Sequence, residues 1–212
     1  MSSTLIRFNT AFSSLPLVAI LRGIKQQEAV DIALLLYEHG FRLIEVPLNS
    51  PDPFASIEKI RCALPKDALV GAGTVLKQSD VIKLAEIGAE LCISPNFNEL
   101  VIKTAIESGL ISIPGICTPS EAFNAIDAGS HAIKLFPAQI ITPDILKALR
   151  AVIPNAVKCI PVGGVNEDNM QAYVNAGAAG FGFGSNVFQA GDTLDIISTK
   201  AKILVNAWKN IN

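Results

Sequence analysis

The feature that most constrains this chain is an eightfold alternation of short β-branched and aliphatic runs with longer amphipathic stretches. The runs fall at about 17–21, 43–46, 69–72, 91–94, 110–113, 132–135, 159–162 and 180–183. Short apolar runs bounded by turn residues read as strands of a buried parallel sheet, and amphipathic stretches between them read as crossover helices. Eight such units in 212 residues predict an α/β chain folded as one (β/α)8 TIM barrel spanning residues 1–212. An open doubly wound sheet is the other arrangement with this alternation. Residues 7–14 are expected to form a short N-terminal helix that closes the barrel's bottom.

Several helices mark their own ends. Thr118-Pro119-Ser120-Glu121 combines a capping threonine, a first-turn proline and a glutamate three positions on, which is a capping box. Thr142-Pro143-Asp144 repeats the start signal. Gly40, Gly88, Gly109, Gly129 and Gly177 each follow an amphipathic stretch, where a helix closes on a left-handed residue.

The bulk properties exclude several classes. A formal net charge of −2 offers no basic footprint for nucleic acid. The apolar stretches fall far short of the roughly 18 residues that span a bilayer. The start, MSSTLIRFNT, lacks the basic end and apolar core of a secretory signal, so a cytoplasmic location is expected. Cys62, Cys92, Cys117 and Cys159 form no CxxC pair, and His39 and His131 have no histidine partner at ligand spacing. A histidine-rich metal site is thereby excluded; a carboxylate-bound magnesium stays open on composition, with no cluster of acids to point to one.

Chemistry is expected at the C-terminal ends of barrel strands. Lys134 sits inside the apolar run AIKLF, where an ordinary solvated lysine has no place. Alternation puts Ala132, Lys134 and Phe136 on one face of the sixth run, and Leu43 and Glu45 together on the second, so Glu45 can meet Lys134 across the lumen. The same reading groups Ile20 with Arg22 on the first run and Val70 and Ala72 with Thr74 on the third. A lysine taken out of water has its charged form disfavoured, which frees a nucleophilic amine. A buried Lys–Glu salt bridge, or a lysine whose head reaches water, is the structural alternative. Gly163-Gly164 and Gly184-Ser185 follow the seventh and eighth runs, where barrels often hold phosphate on backbone N–H groups.

The segments LIEVPL around Glu45, GAGTV around Thr74, SPNF around Pro95, IKLFPA around Lys134, PVGGV around Gly164 and GFGSN around Ser185 resemble the 2-keto-3-deoxy-6-phosphogluconate and -galactonate aldolase family. The likeness covers nearly the whole chain, with the motifs in order. Gluconate-type members carry an arginine in an EVTLRT-like segment and a threonine in PTGG. Here Asn49 and Val162 occupy those places, while Arg22 appears in LRG on the first run, as in the galactonate branch.

The resemblance implies a Schiff-base aldolase acting on a phosphorylated 2-keto-3-deoxy sugar acid, with Lys134 as nucleophile and Glu45 as proton carrier. Arg22 and Thr74 would hold the substrate carboxylate, and Gly163, Gly164, Gly184 and Ser185 the phosphate. Pro95 and Val162 would complete the binding site, no metal or organic cofactor would be needed, and the assembly implied is a homotrimer. Three readings stay open at this point: a gluconate-type or dual-specificity aldolase, a phosphate-binding barrel isomerase or epimerase using paired acid and base groups, and a non-catalytic sensor of a phosphorylated metabolite.

Overall fold

A computed structural model describes residues 3–211. Its strands are β1 (Leu17–Ile20), β2 (Leu43–Pro47), β3 (Leu69–Gly73), β4 (Leu91–Ile93), β5 (Ile111–Ile113), β6 (Gly115–Ile116), β7 (Ile133–Leu135), β8 (Cys159–Pro161) and β9 (Phe181–Phe183). They pair in parallel as β5-β4-β3-β2-β1-β9 and as β6-β7-β8. The two ladders meet through a bridge between Val162 and Gly182 and through Ala179 N–H donating to the Cys159 carbonyl at 2.9 Å. The result is the (β/α)8 barrel that the alternation predicts.

The fifth run differs from expectation in being split. Pro114 stands between β5 and β6 and has no N–H to give a ladder. Its carbonyl instead accepts from Lys134 N–H at 2.8 Å, so one bent stave pairs with β4 below the proline and with β7 above it. Nine strands thus make eight staves.

Eight helices follow or separate the strands: α2 (Ala29–Glu38), α3 (Pro53–Ala63), α4 (Gln78–Glu86), α5 (Glu99–Glu107), α6 (Pro119–Asp127), α7 (Pro143–Arg150), α8 (Met170–Asn175) and α9 (Leu194–Ile211). The capping box of α6 forms as expected, with Thr118 accepting from Glu121 N–H and Glu121 accepting from Thr118 N–H. At α7 the proline takes the first turn, but Thr142 makes no side-chain cap. The five helix-ending glycines all have φ between 73° and 99°.

The apolar side chains divide into two layers. One lies between the strands and the outer helices; the other fills the lumen. The N-terminal helix α1 (Ser3–Ser14) plugs the bottom of the lumen with Phe8, Ala11 and Phe12, whose rings meet 5.5 Å apart at Phe8 and Phe12. It starts earlier than the expected residue 7 because Leu5 also packs on the lumen cluster, a contact no local pattern announces. Arg7 latches the plug, pairing with Glu90, which also binds Arg61 at 2.7 Å, and donating to the Lys66 carbonyl at 2.7 Å.

The lumen face confirms the expected parity on β1, β2 and β7, and corrects it on β3. Val70 and Ala72 pack in the outer layer, while Leu69 faces the lumen. Gly71 aligns with Glu45 in the register, which puts Gly71 and Gly73 on the inner face. Thr74 follows with φ 56°, a left-handed residue that breaks the alternation at the strand end.

Candidate active site

Lys134 and Glu45 project into the upper lumen from β7 and β2, 5% and 1% exposed respectively. They line a pocket of about 10 Å³, room for roughly one water, whose other walls include Ile20, Ile93, Ile113, Ile160 and Val162. Burial in this aliphatic box pushes the Lys134 amine below the usual lysine range; Glu45 opposes that shift and Arg22 adds to it. Burial likewise pushes the Glu45 carboxyl up, against the pull of Lys134 and Arg22. Glu45 Oε2 has no hydrogen-bond partner, and among the described residues no ion pair involves Glu45 or Lys134. The amine lies 4.9 Å from the Phe136 ring centroid. The two groups therefore face one space without neutralising each other in a bond, which the salt-bridge alternative would require.

Gly73 is a consequence of this placement. A Cβ there would sit 2.6 Å from Glu45 Oε2, so any larger residue would push the carboxylate from its position. GAGT contains that signal, but its small residues look alike on both faces of the strand.

Above the box opens a cavity of about 220 Å³, and Lys134, Ile20, Val162 and Gly182 line both. Its mouth brings together Arg22, Gly163, Gly164, Gly184 and Ser185, as expected, and adds Gln139 and Asn186, which sequence reasoning missed. Thr74 and Pro95 are not among the lining residues of either cavity; the Pro95 backbone instead packs where a Cβ on Gly115 would lie. Gly163 and Gly164 have φ 89° and 84°, a pair of left-handed residues that turns the chain sharply above β8. The Gln139 side chain rests on this turn, within 3.1 Å of where a Cβ on either glycine would be.

Asn169 Nδ2 braces the same turn by donating to the Gly164 carbonyl at 2.9 Å. Asn166 Oδ1 accepts from Asp168 and Asn169 N–H, holding the turn that leads into α8 at Met170. In the second turn Val187 and Phe188 N–H both donate to the Gly184 carbonyl at 2.9 Å. Asn186 Nδ2 joins the two turns through the Val165 carbonyl at 3.1 Å.

A desolvated amine, a buried carboxyl and two donor-rich turns make a site able to attack a carbonyl, move a proton and hold an anion. A family model described as KDPG and KHG aldolase matches residues 9–199. The chain belongs to the KDPG and KHG aldolase family. It is 45% identical over 193 residues to a probable 2-dehydro-3-deoxy-6-phosphogalactonate aldolase of Rhizobium meliloti (strain 1021), covering 91% of each chain. It is 41% identical over 197 residues to the 2-dehydro-3-deoxy-6-phosphogalactonate aldolase of Escherichia coli (strain K12), covering 93% of this chain and 96% of that one. A solved structure described as native KDPGal superposes with a TM-score of 0.91 at 41% identity, over 93% of this chain and 96% of the other.

Among the described residues of this aldolase-family chain, no group of three or more His, Cys, Asp or Glu side chains could hold a metal ion, and no helix is long and apolar enough to cross a membrane.

Proposed function

We propose that the chain cleaves 2-dehydro-3-deoxy-6-phospho-D-galactonate to pyruvate and D-glyceraldehyde 3-phosphate through a Schiff base on Lys134. One observation carries this reading: a lysine amine kept below its usual pKa by an apolar box, facing a buried carboxyl with an unpartnered oxygen. The neutral amine attacks the C2 ketone, and loss of water leaves a protonated imine that accepts electrons from the C3–C4 bond. The Glu45 carboxylate takes the C4 hydroxyl proton as that bond breaks. Its raised pKa suits a group that must both accept this proton and return it to C3 of the enamine. Hydrolysis then frees pyruvate and the amine.

Arg22 acts electrostatically on both Lys134 and Glu45 and lines the cavity with Lys134, so it serves the carboxylate attached to the carbon under attack. The Gly163-Gly164 and Gly184-Ser185 turns serve the phosphate at the other end. Thr74 and Pro95 support this site from outside the cavity lining. Val162, buried and facing the lumen, presents methyl groups where a threonine would present a hydroxyl, which favours the galactonate epimer over the gluconate one.

Borohydride reduction in the presence of pyruvate, followed by mass spectrometry and peptide mapping, tests the reading. A single pyruvyl adduct on Lys134 is expected. No adduct, or labelling spread over surface lysines, refutes it and returns the barrel isomerases to the front.

The homotrimer is proposed as well, supported by exposed Leu76 ahead of α4, Leu100 in the first turn of α5 and Phe123 in the middle of α6, on neighbouring elements. Leu100→Asp is expected to lower the mass measured by light scattering; a monomeric wild type rejects the trimer.

A further inference from the structure

Arg22 is exposed at the cavity mouth, and the side chain it bonds there is not an acid. Its Nη1 donates to Asn49 Oδ1 at 2.7 Å, across 27 residues of sequence. Among the described residues Arg22 takes part in no ion pair. A second bond registers the same two loops, since Gly23 N–H donates to Ser50 Oγ at 2.9 Å and Ser50 is buried. The loop after β1 is thereby fastened to the loop after β2, the strand that carries Glu45.

We propose that Asn49 is a positioning residue for substrate binding: it fixes the Arg22 guanidinium at the mouth through a neutral acceptor, leaving the full positive charge for the substrate carboxylate. The proposal rests on the reading of Arg22 as the carboxylate's partner. A guanidinium has five N–H donors in a rigid fork, and one bond to Asn49 spends a single donor while restricting a long, entropically costly side chain. An aspartate would hold the same geometry but cancel the charge that an anionic ligand needs. Asparagine is the side chain of this shape that restrains without competing.

Pyruvate is a suitable probe because it carries the carboxylate and ketone but no phosphate. The measurement is the pyruvate concentration that gives half-maximal borohydride labelling of Lys134, with inorganic phosphate inhibition of turnover measured in parallel. Asn49→Ala is expected to raise the half-maximal pyruvate concentration roughly tenfold, the size of effect of one hydrogen bond to a charged group. Asn49→Asp is expected to raise it as well, through charge cancellation. Labelling at saturating pyruvate and inhibition by inorganic phosphate should stay as in the wild type, which a general loosening of the site would not allow.

Arg22→Ala separates the two ways of failing. If it raises the pyruvate requirement while either Asn49 variant matches the wild type, the role of Asn49 is overturned and that of Arg22 stands. If Arg22→Ala also leaves the requirement unchanged, the reading of Arg22 is wrong and the role of Asn49 falls with it.

Discussion

The two ends of the barrel lumen treat polar groups in opposite ways. At the bottom, the Phe8 and Phe12 plug is buried and apolar, Arg7 and Arg61 share Glu90, and the Lys158 amine lies partly exposed over both rings. At the top, Lys134 and Glu45 are nearly as buried as the plug, yet among the described residues neither is in an ion pair and one Glu45 oxygen has no partner. Burial without compensation costs free energy, and at the top the protein sustains that cost for an amine and a carboxyl. The bottom stabilises the fold; the top holds an amine and a carboxyl ready for a reaction.

The strongest way to break this comparison is Lys134→Met. Turnover should fall on the order of 10⁴-fold or more, because the covalent route is lost. The melting temperature should not fall, since a long apolar side chain replaces a desolvated amine in an aliphatic box. A clear loss of stability with activity retained would mean that Lys134 is structural. The same amine sets the pH profile: kcat/KM should rise with pH as the ammonium loses its proton, at a pH below the ordinary lysine range. An acid limb at the ordinary lysine value would contradict the desolvated site.

Glu45→Gln should lower kcat roughly 10²- to 10⁴-fold while pyruvate is still trapped on Lys134, because the proton carrier is lost and the nucleophile kept. Loss of trapping in this variant would place Glu45 in imine formation as well. Phe8→Ala should have the reverse profile, with a loss of about 3–5 kcal/mol in denaturant unfolding and kcat of the folded fraction within about twofold of wild type. A large change in kcat would show that the plug and the site are coupled.

Smaller still is Val162→Thr, expected to shift the ratio of galactonate to gluconate cleavage roughly tenfold toward gluconate in parallel assays; an unchanged ratio would move epimer choice elsewhere. Glu90→Ala should cost about 1–2 kcal/mol in the same unfolding experiment, since its two arginine partners are only partly buried. No measurable loss would reduce the latch to a surface contact.

The legibility of the site followed the strength of each local pattern. Lys134 and Glu45 stand out because each is a charged residue inside a run of large aliphatic ones, so period-2 alternation has something to contrast. β3 offered no such contrast: Leu69-Val70-Gly71-Ala72-Gly73 is apolar or small on both faces, and a strand buried on both sides hides its parity. The grouping of Val70 and Ala72 with Thr74 on the inner face failed for that reason, and Gly73, which lies against the Glu45 carboxylate, was missed. Gln139 and Asn186 lie on irregular segments, where no period says which way a side chain points.

By itself, the sequence determined the eight βα units, the capped and glycine-ended helices, the lumen positions of Lys134 and Glu45, and the two glycine turns. These are encoded in hydrophobic periodicity and in residues whose backbone preferences act locally. Only the tertiary structure decided the split stave at Pro114, the earlier start of α1, the inner face of β3 and the bond from Arg22 to Asn49. Each depends on a contact between segments far apart in the chain, and such contacts form only once the barrel has closed and brought its loops to one end.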